Sequence, residues 1–152
     1  MNDKKKYQAI ALLMILVLFC PVLFFVIKPR MSDTIIAIPA QSPSYSAPVS
    51  PVFSRCTHFV VYNGRTNACV YVPNAFPCDA YGIVYCLLKK KTGIAIVKQI
   101  SPQDFEALNS YGVKVYVCPM SATVMDAISD FKNGLLVRTD TPTGIMKCFF
   151  QR

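Results

Sequence analysis

The chain has 152 residues, with 16 Lys+Arg against 8 Asp+Glu, one His, seven Cys, eleven Pro and no Trp. That length excludes two full domains plus linkers, and a content of 53% hydrophobic against 16% charged residues excludes a disordered chain. One His and few carboxylates leave little material for acid–base catalysis, and no specific activity is named by the composition.

Residues 1–8 carry Lys4, Lys5 and Lys6 and are expected to stay cytoplasmic. Residues 9–27 (AIALLMILVLFCPVLFFVI) carry no charge and, as a helix, span roughly 28 Å, one hydrocarbon thickness. They are read as a single-pass transmembrane signal-anchor, kinked at Pro21, with Cys20 a membrane-buried thiol. The run is long for a cleavable signal peptide and ends in Phe, Val and Ile rather than in small residues.

Residues 28–55 alternate Pro39, Pro43, Pro48 and Pro51 with Ser42, Ser44, Ser46 and Ser50, the composition of an extended stalk. The alternative is an ordered arm draped over the domain, docked through Ile35, Ile36, Ile38 and Val52.

Residues 56–152 hold Cys56, Cys69, Cys78, Cys86, Cys118 and Cys148. An even count on the outer side of a membrane implies up to three disulfides, of which fifteen pairings are possible. Segments 58–62 and 65–72 flank Asn63-Gly64, a two-residue hairpin signal. Segments 82–88 and 94–100 read as a second hairpin across Lys89-Lys90-Lys91-Thr92-Gly93. Ser101-Pro102-Gln103-Asp104 opens a helix that Gly112 stops. A strand follows at 113–118. A second helix is capped at Ser121, with Val124, Ile128 and Phe131 on one stripe and Gly134 as its stop. Segments 135–139 and 145–150 form a third hairpin. The expected class is α+β: about seven strands and two helices in a mainly antiparallel or mixed sheet, braced by disulfides.

Cys118-Pro119-Met120-Ser121 is the sharpest chemical motif, because a Cys between a strand end and a helix start can have its thiolate stabilised by the helix dipole. The run 108–122 (LNSYGVKVYVCPMSA) has a local resemblance to DsrE-like sulfur-relay proteins, although the hairpins before it do not match that fold. A bridge, with Cys148 as one candidate partner, is the competing fate of Cys118. No CxxC occurs, and Cys56-Thr57-His58 offers two ligands without a second pair, so neither a metal site nor a cofactor is expected. Lys89, Lys90 and Lys91 form a basic interaction patch.

These features suggest a non-enzymatic, membrane-anchored interaction module with a periplasmic or extracellular domain. It would belong to an envelope complex for secretion, conjugation or exclusion, or for viral entry. The bacterial inner membrane is the favoured home and a viral envelope the alternative. Expected partners are the bilayer, other envelope proteins and a second copy, but not nucleic acid. The rival reading is a membrane-tethered thiol enzyme or sulfur carrier using Cys118.

Overall fold

The computed structural model describes residues 34–144. The chain divides into units Met1–Arg30 and Met31–Arg152, and all the described residues lie in the second. In chain order they form β1 (Ile35–Ala40), a 3-10 turn (Phe53–Arg55), β2 (His58–Asn63), β3 (Cys69–Pro73), α1 (Ala80–Lys89), β4 (Ile94–Val97), α2 (Pro102–Ser110), β5 (Lys114–Val117), α3 (Val124–Lys132) and β6 (Val137–Thr139).

The six strands make one mixed sheet in the order β3-β2-β1-β4-β5-β6. β1, β4 and β5 run parallel, while β2 pairs antiparallel with both β1 and β3, and β6 antiparallel with β5. A core covers each face of the sheet. On one face Ala37, Ala95, Val97 and Val115 meet Ile83 and Leu87 of α1 and Ala107 and Leu108 of α2. On the other, Ile36, Ile38, Val60 and Ile96 meet Val124, Ala127 and Ile128 of α3. Burial on both faces explains the nearly unbroken apolar runs of β1 and β4, which do not alternate with polar residues.

Several sequence expectations are corrected. The proposed stalk contains the central strand. β1 is buried from Ile36 to Ala40 and hydrogen-bonded on both sides, and the loop after it inserts Ala47, Val49 and Phe53 into the two cores. β4 pairs with β1 only at Ile36 and Ala37, which keeps Pro39 clear of the parallel ladder. The segment 82–88 is α1 rather than a strand. Asp79 caps it by accepting from the Gly82 N–H at 3.1 Å, and Ala80, Ile83, Val84 and Leu87 make one buried helical stripe. β4 therefore pairs in parallel with β1 and β5 and has no hairpin partner.

The turn at Asn63-Gly64 is longer than two residues. The Asn63 side chain accepts from Arg65 N and Thr66 N, Asn67 takes the positive φ of 57°, and Tyr62 faces Cys69. α3 is capped at Thr123, not at Ser121, because Asp126 returns a hydrogen bond to complete a capping box. β6 pairs with β5, and the expected partner segment 145–150 lies outside the described residues.

The described residues thus hold six strands and three α-helices instead of seven and two. Cys56, Cys69, Cys86 and Cys118 are free thiols, so the framework of three disulfides does not exist. The expected membrane span at 9–27 lies outside the described residues, and no helix among those described is long and apolar enough to cross a membrane.

Because β1 is the strand around which both cores assemble, Ile38→Ala should cost about 2–5 kcal/mol, read as a lowered urea midpoint at unchanged slope. A stalk residue would show no change.

Candidate functional site

The chain leaves the carboxyl ends of β4 and β5 in opposite directions. After β4 it passes to α2 on one face of the sheet, and after β5 to α3 on the other. The edge outside such a divergence is the usual ligand position in open sheets with parallel strands. The two residues that flank it are Lys98 and Cys118. The register Val97↔Val117 continues through the Cys118 N–H, which donates to the Val97 carbonyl at 2.9 Å, and so sets the two side by side. Alternation from Ile94 and Ile96 puts Lys98 on the α3 face, where Cys118 also packs.

Both groups are enclosed. Cys118 is 4% exposed and Lys98 is 8% exposed. Burial pushes the Cys118 thiol up to about 11, against the opposing pull of the Lys98 ammonium and with a smaller push from Asp130. The thiol is therefore protonated at neutral pH. Burial thus opposes the dipole-stabilised thiolate expected from the sequence. The loop after β1 is joined to Ala122 of the turn after β5 and to the first two residues of α3 by three backbone bonds. Val49 N donates to Ala122 O (3.1 Å), Val124 N to Ala47 O (2.9 Å) and Met125 N to Tyr45 O (3.0 Å). Met120 protrudes from that turn, 57% exposed.

The other candidate residues are dispersed. Cys56 lies in the opposite core, its thiol pushed up to about 12 by burial, and Asn74 holds its carbonyl at 3.0 Å. Cys69 is half-buried on β3, where burial raises its thiol against the pull of Lys132. Cys78 takes a positive φ of 64° in the turn before α1, and Cys86 lies half-buried on α1. Cys148 is outside the described residues. His58 starts β2 at the carboxyl edge, with Nδ1 3.1 Å from the Thr57 hydroxyl. Among the described residues no group of three His, Cys, Asp or Glu is placed to hold a metal ion.

Lys89, Lys90 and Lys91 end α1 at the other edge of the sheet. Lys89 stacks over the Tyr85 ring at 4.5 Å, and Lys91 and Lys114 line a shallow groove of about 330 Å³. Two polar elements were missed in the sequence. Lys98 was not singled out, because one charge at the end of the unbroken apolar run Ile94–Val97 carries no local signal. Asp104 was read only as a first-turn acid, yet it is buried and accepts from Ser101 Oγ (2.8 Å) and Ser54 Oγ (3.1 Å).

The family described as Dinitrogenase iron-molybdenum cofactor matches residues 34–134, and the chain belongs to that family. Among solved structures, the apo form of the orange protein from Desulfovibrio gigas is similar. It has a TM-score of 0.68 and 26% identity, over 74% of this chain and 98% of that one. A candidate NifB protein from Thermotoga, of the DUF35 family, has a TM-score of 0.66 and 30% identity, over 73% of this chain and 97% of that one. No curated protein matches.

The membership overturns the envelope-assembly reading. The matched region runs from before β1 to the end of α3, so the supposed stalk is part of the family's own fold. The periplasmic or viral placement drew on a disulfide framework that the free thiols remove, and it is withdrawn with that reading.

Burial raises the Asp104 carboxyl above its ordinary value, outweighing the hydrogen bonds from Ser101 and Ser54 that lower it. Its contribution to stability is therefore complete below the unfolded carboxyl pKa of about 3.9 and is lost as pH rises through the folded value. Asp104→Asn removes this dependence. Its urea midpoint relative to wild type should rise between about pH 4 and neutrality, and a difference that does not change with pH would contradict the assignment.

Proposed function

We propose that the domain is a binding protein and carrier for a preformed metal–sulfur cluster of the iron–molybdenum cofactor type, and that it is not an enzyme. The cluster is cargo, taken up and given away, rather than a resident cofactor. The observation that carries this reading is the family match across the sheet from β1 to α3. The donor set fits it. A resident metal ion needs three or four converging ligands, and no such group exists among the described residues. A cluster already saturated by its own sulfides needs only a crevice, a cation and at most one or two soft donors. The carboxyl edge of β4 and β5 sets Lys98 and Cys118 side by side, with Met120 exposed on the turn that follows.

The residues also argue against catalysis. The thiol at this edge is protonated. The one histidine contacts Thr57 and has no carboxylate to orient its ring among the hydrogen bonds of the described residues.

The test is anaerobic mixing of the full chain with isolated iron–molybdenum cofactor, followed by gel filtration and metal analysis of the protein peak. Co-elution of iron and molybdenum in a fixed ratio to protein is expected, whereas ferrous ion or molybdate alone should pass through. Retention of the bare ions but not of the cofactor would refute the carrier reading.

A further inference from the structure

We infer that the amino edge of the sheet is a docking face for an acidic protein, with one carboxylate of that protein seated in the groove that Lys91 and Lys114 line. The inference goes beyond the carrier reading and does not depend on it.

The placement follows from the topology. β1, β4 and β5 run parallel, and the ends of α1 and α2 return to their starts, where Gly93 N donates to Ile35 O and Lys114 N to Gly93 O. The turn between β2 and β3 lies at the same edge, because Asn63 pairs with Ile35, and Lys132 at the end of α3 donates to Asn67 of that turn at 3.0 Å. Exposed cations are thereby gathered from four separate segments: Arg65 in the turn, Lys89, Lys90 and Lys91 at the end of α1, Lys114 at the start of β5, and Lys132. Asp140, the acid beside Lys114, is already held by Arg138 at 3.1 Å. Asp79, Asp104 and Asp126 lie at the opposite ends of the helices.

Helix dipoles account for part of this charge, since Lys89 and Lys132 close α1 and α3. They do not account for Lys91. It takes a φ of 61°, the left-handed conformation in which helices usually end on glycine. A solvated charge needs no such position, and strain of this kind is grounds for giving the side chain a role. Lys91 and Lys114 line the same shallow groove, with Thr34, Ile35, Gly93 and Ile94 as its other walls. Neither ammonium has a hydrogen bond or an ion pair among the described residues.

The groove suits a carboxylate better than a phosphate. The backbone amides that would cradle a phosphate are occupied: Lys91 N donates to Leu88 O, Thr92 N to Leu87 O, and Gly93 N and Lys114 N as above. The cations are lysines except for Arg65, and lysine lacks the guanidinium fork that clamps phosphate. Tyr85, beneath the Lys89 ammonium, and Tyr111, at the end of α2, are exposed and add the aromatic surface common in protein interfaces. From β2 to β5 the face crosses roughly 15 Å of strand spacings, the breadth of a protein contact. It lies opposite the edge of Lys98 and Cys118, so a docked partner leaves that edge open.

The full chain is titrated into fluorescein-labelled polyglutamate at physiological ionic strength, with binding read as fluorescence anisotropy. Lys91→Gln combined with Lys114→Gln should weaken binding about tenfold or more. Gln41→Glu combined with Gln103→Glu changes the net charge equally at exposed sites by the carboxyl edge, and should alter binding by less than about twofold. Lys91→Gly should melt at or above the wild-type temperature, because glycine relieves the backbone, and still bind several-fold more weakly. A lysine with a merely structural role would not separate the two readouts. Vesicles of anionic phospholipid and a single-stranded oligonucleotide are titrated beside the peptide. Equal weakening by the two charge-matched pairs overturns the inference, as does unaltered binding by Lys91→Gly. A chain that binds vesicles or oligonucleotide through these lysines but not polyglutamate, or that binds none of the three, also overturns it.

Discussion

The architecture depends on the placement of β1 between an antiparallel and a parallel neighbour. Ile36 and Ala37 each pair with β2 on one side and with β4 on the other, and their side chains enter opposite cores. A strand in that position has no free edge and no solvent face, so it fixes the register of everything beside it. The antiparallel hairpin of β2 and β3 is built outward from one side, and the parallel pair β4 and β5 from the other. Without β1 the sheet would separate into a hairpin and a three-stranded piece, each with an unsatisfied edge.

The chemistry at the carboxyl edge is a consequence of that arrangement. Parallel pairing brings the ends of β4 and β5 together, and the assignment of α2 to one face and α3 to the other forces their following segments apart. The long connection after β1 crosses this same edge, contributing Ala47 and Val49 to one core and Phe53 and Cys56 to the other. It is bonded to Ala122, Val124 and Met125 through its backbone, and its Ala47 and Val49 share a core with Cys118.

How much of this was legible depended on which local signal competed. The helix start at Ser101-Pro102 was readable because capping chemistry is local: Ser101 Oγ does accept from Asp104 N at 3.1 Å. The strand at 113–118 and the stripe Val124, Ile128 and Phe131 were readable from periodicity. The segment 82–88 reads as a strand because a short apolar run has the same appearance in a buried strand and in a helix, and the cap that decides for the helix, Asp79, lies outside that run. β1 was misread because Pro39 and the Ser/Pro stretch behind it suggested a solvated linker. Its apolar run Ile35-Ile36-Ala37-Ile38 was the correct signal, and only tertiary pairing makes it central. The cysteine count misled most. An even number of thiols implies bridges only in an oxidising compartment, and that compartment had been inferred from residues 9–27. Lys98 was overlooked because its meaning lies in a cross-strand neighbour that no sequence window contains.

The dispersal of the thiols also bears on how tightly a cargo can be held. A resident cluster wrapped by four cysteinates exchanges slowly, because several bonds must break together. The thiols among the described residues are spread over both cores and form no such cage, so under the carrier reading proposed above a cargo would be held by fewer contacts, each tenfold in affinity being worth only about 1.4 kcal/mol.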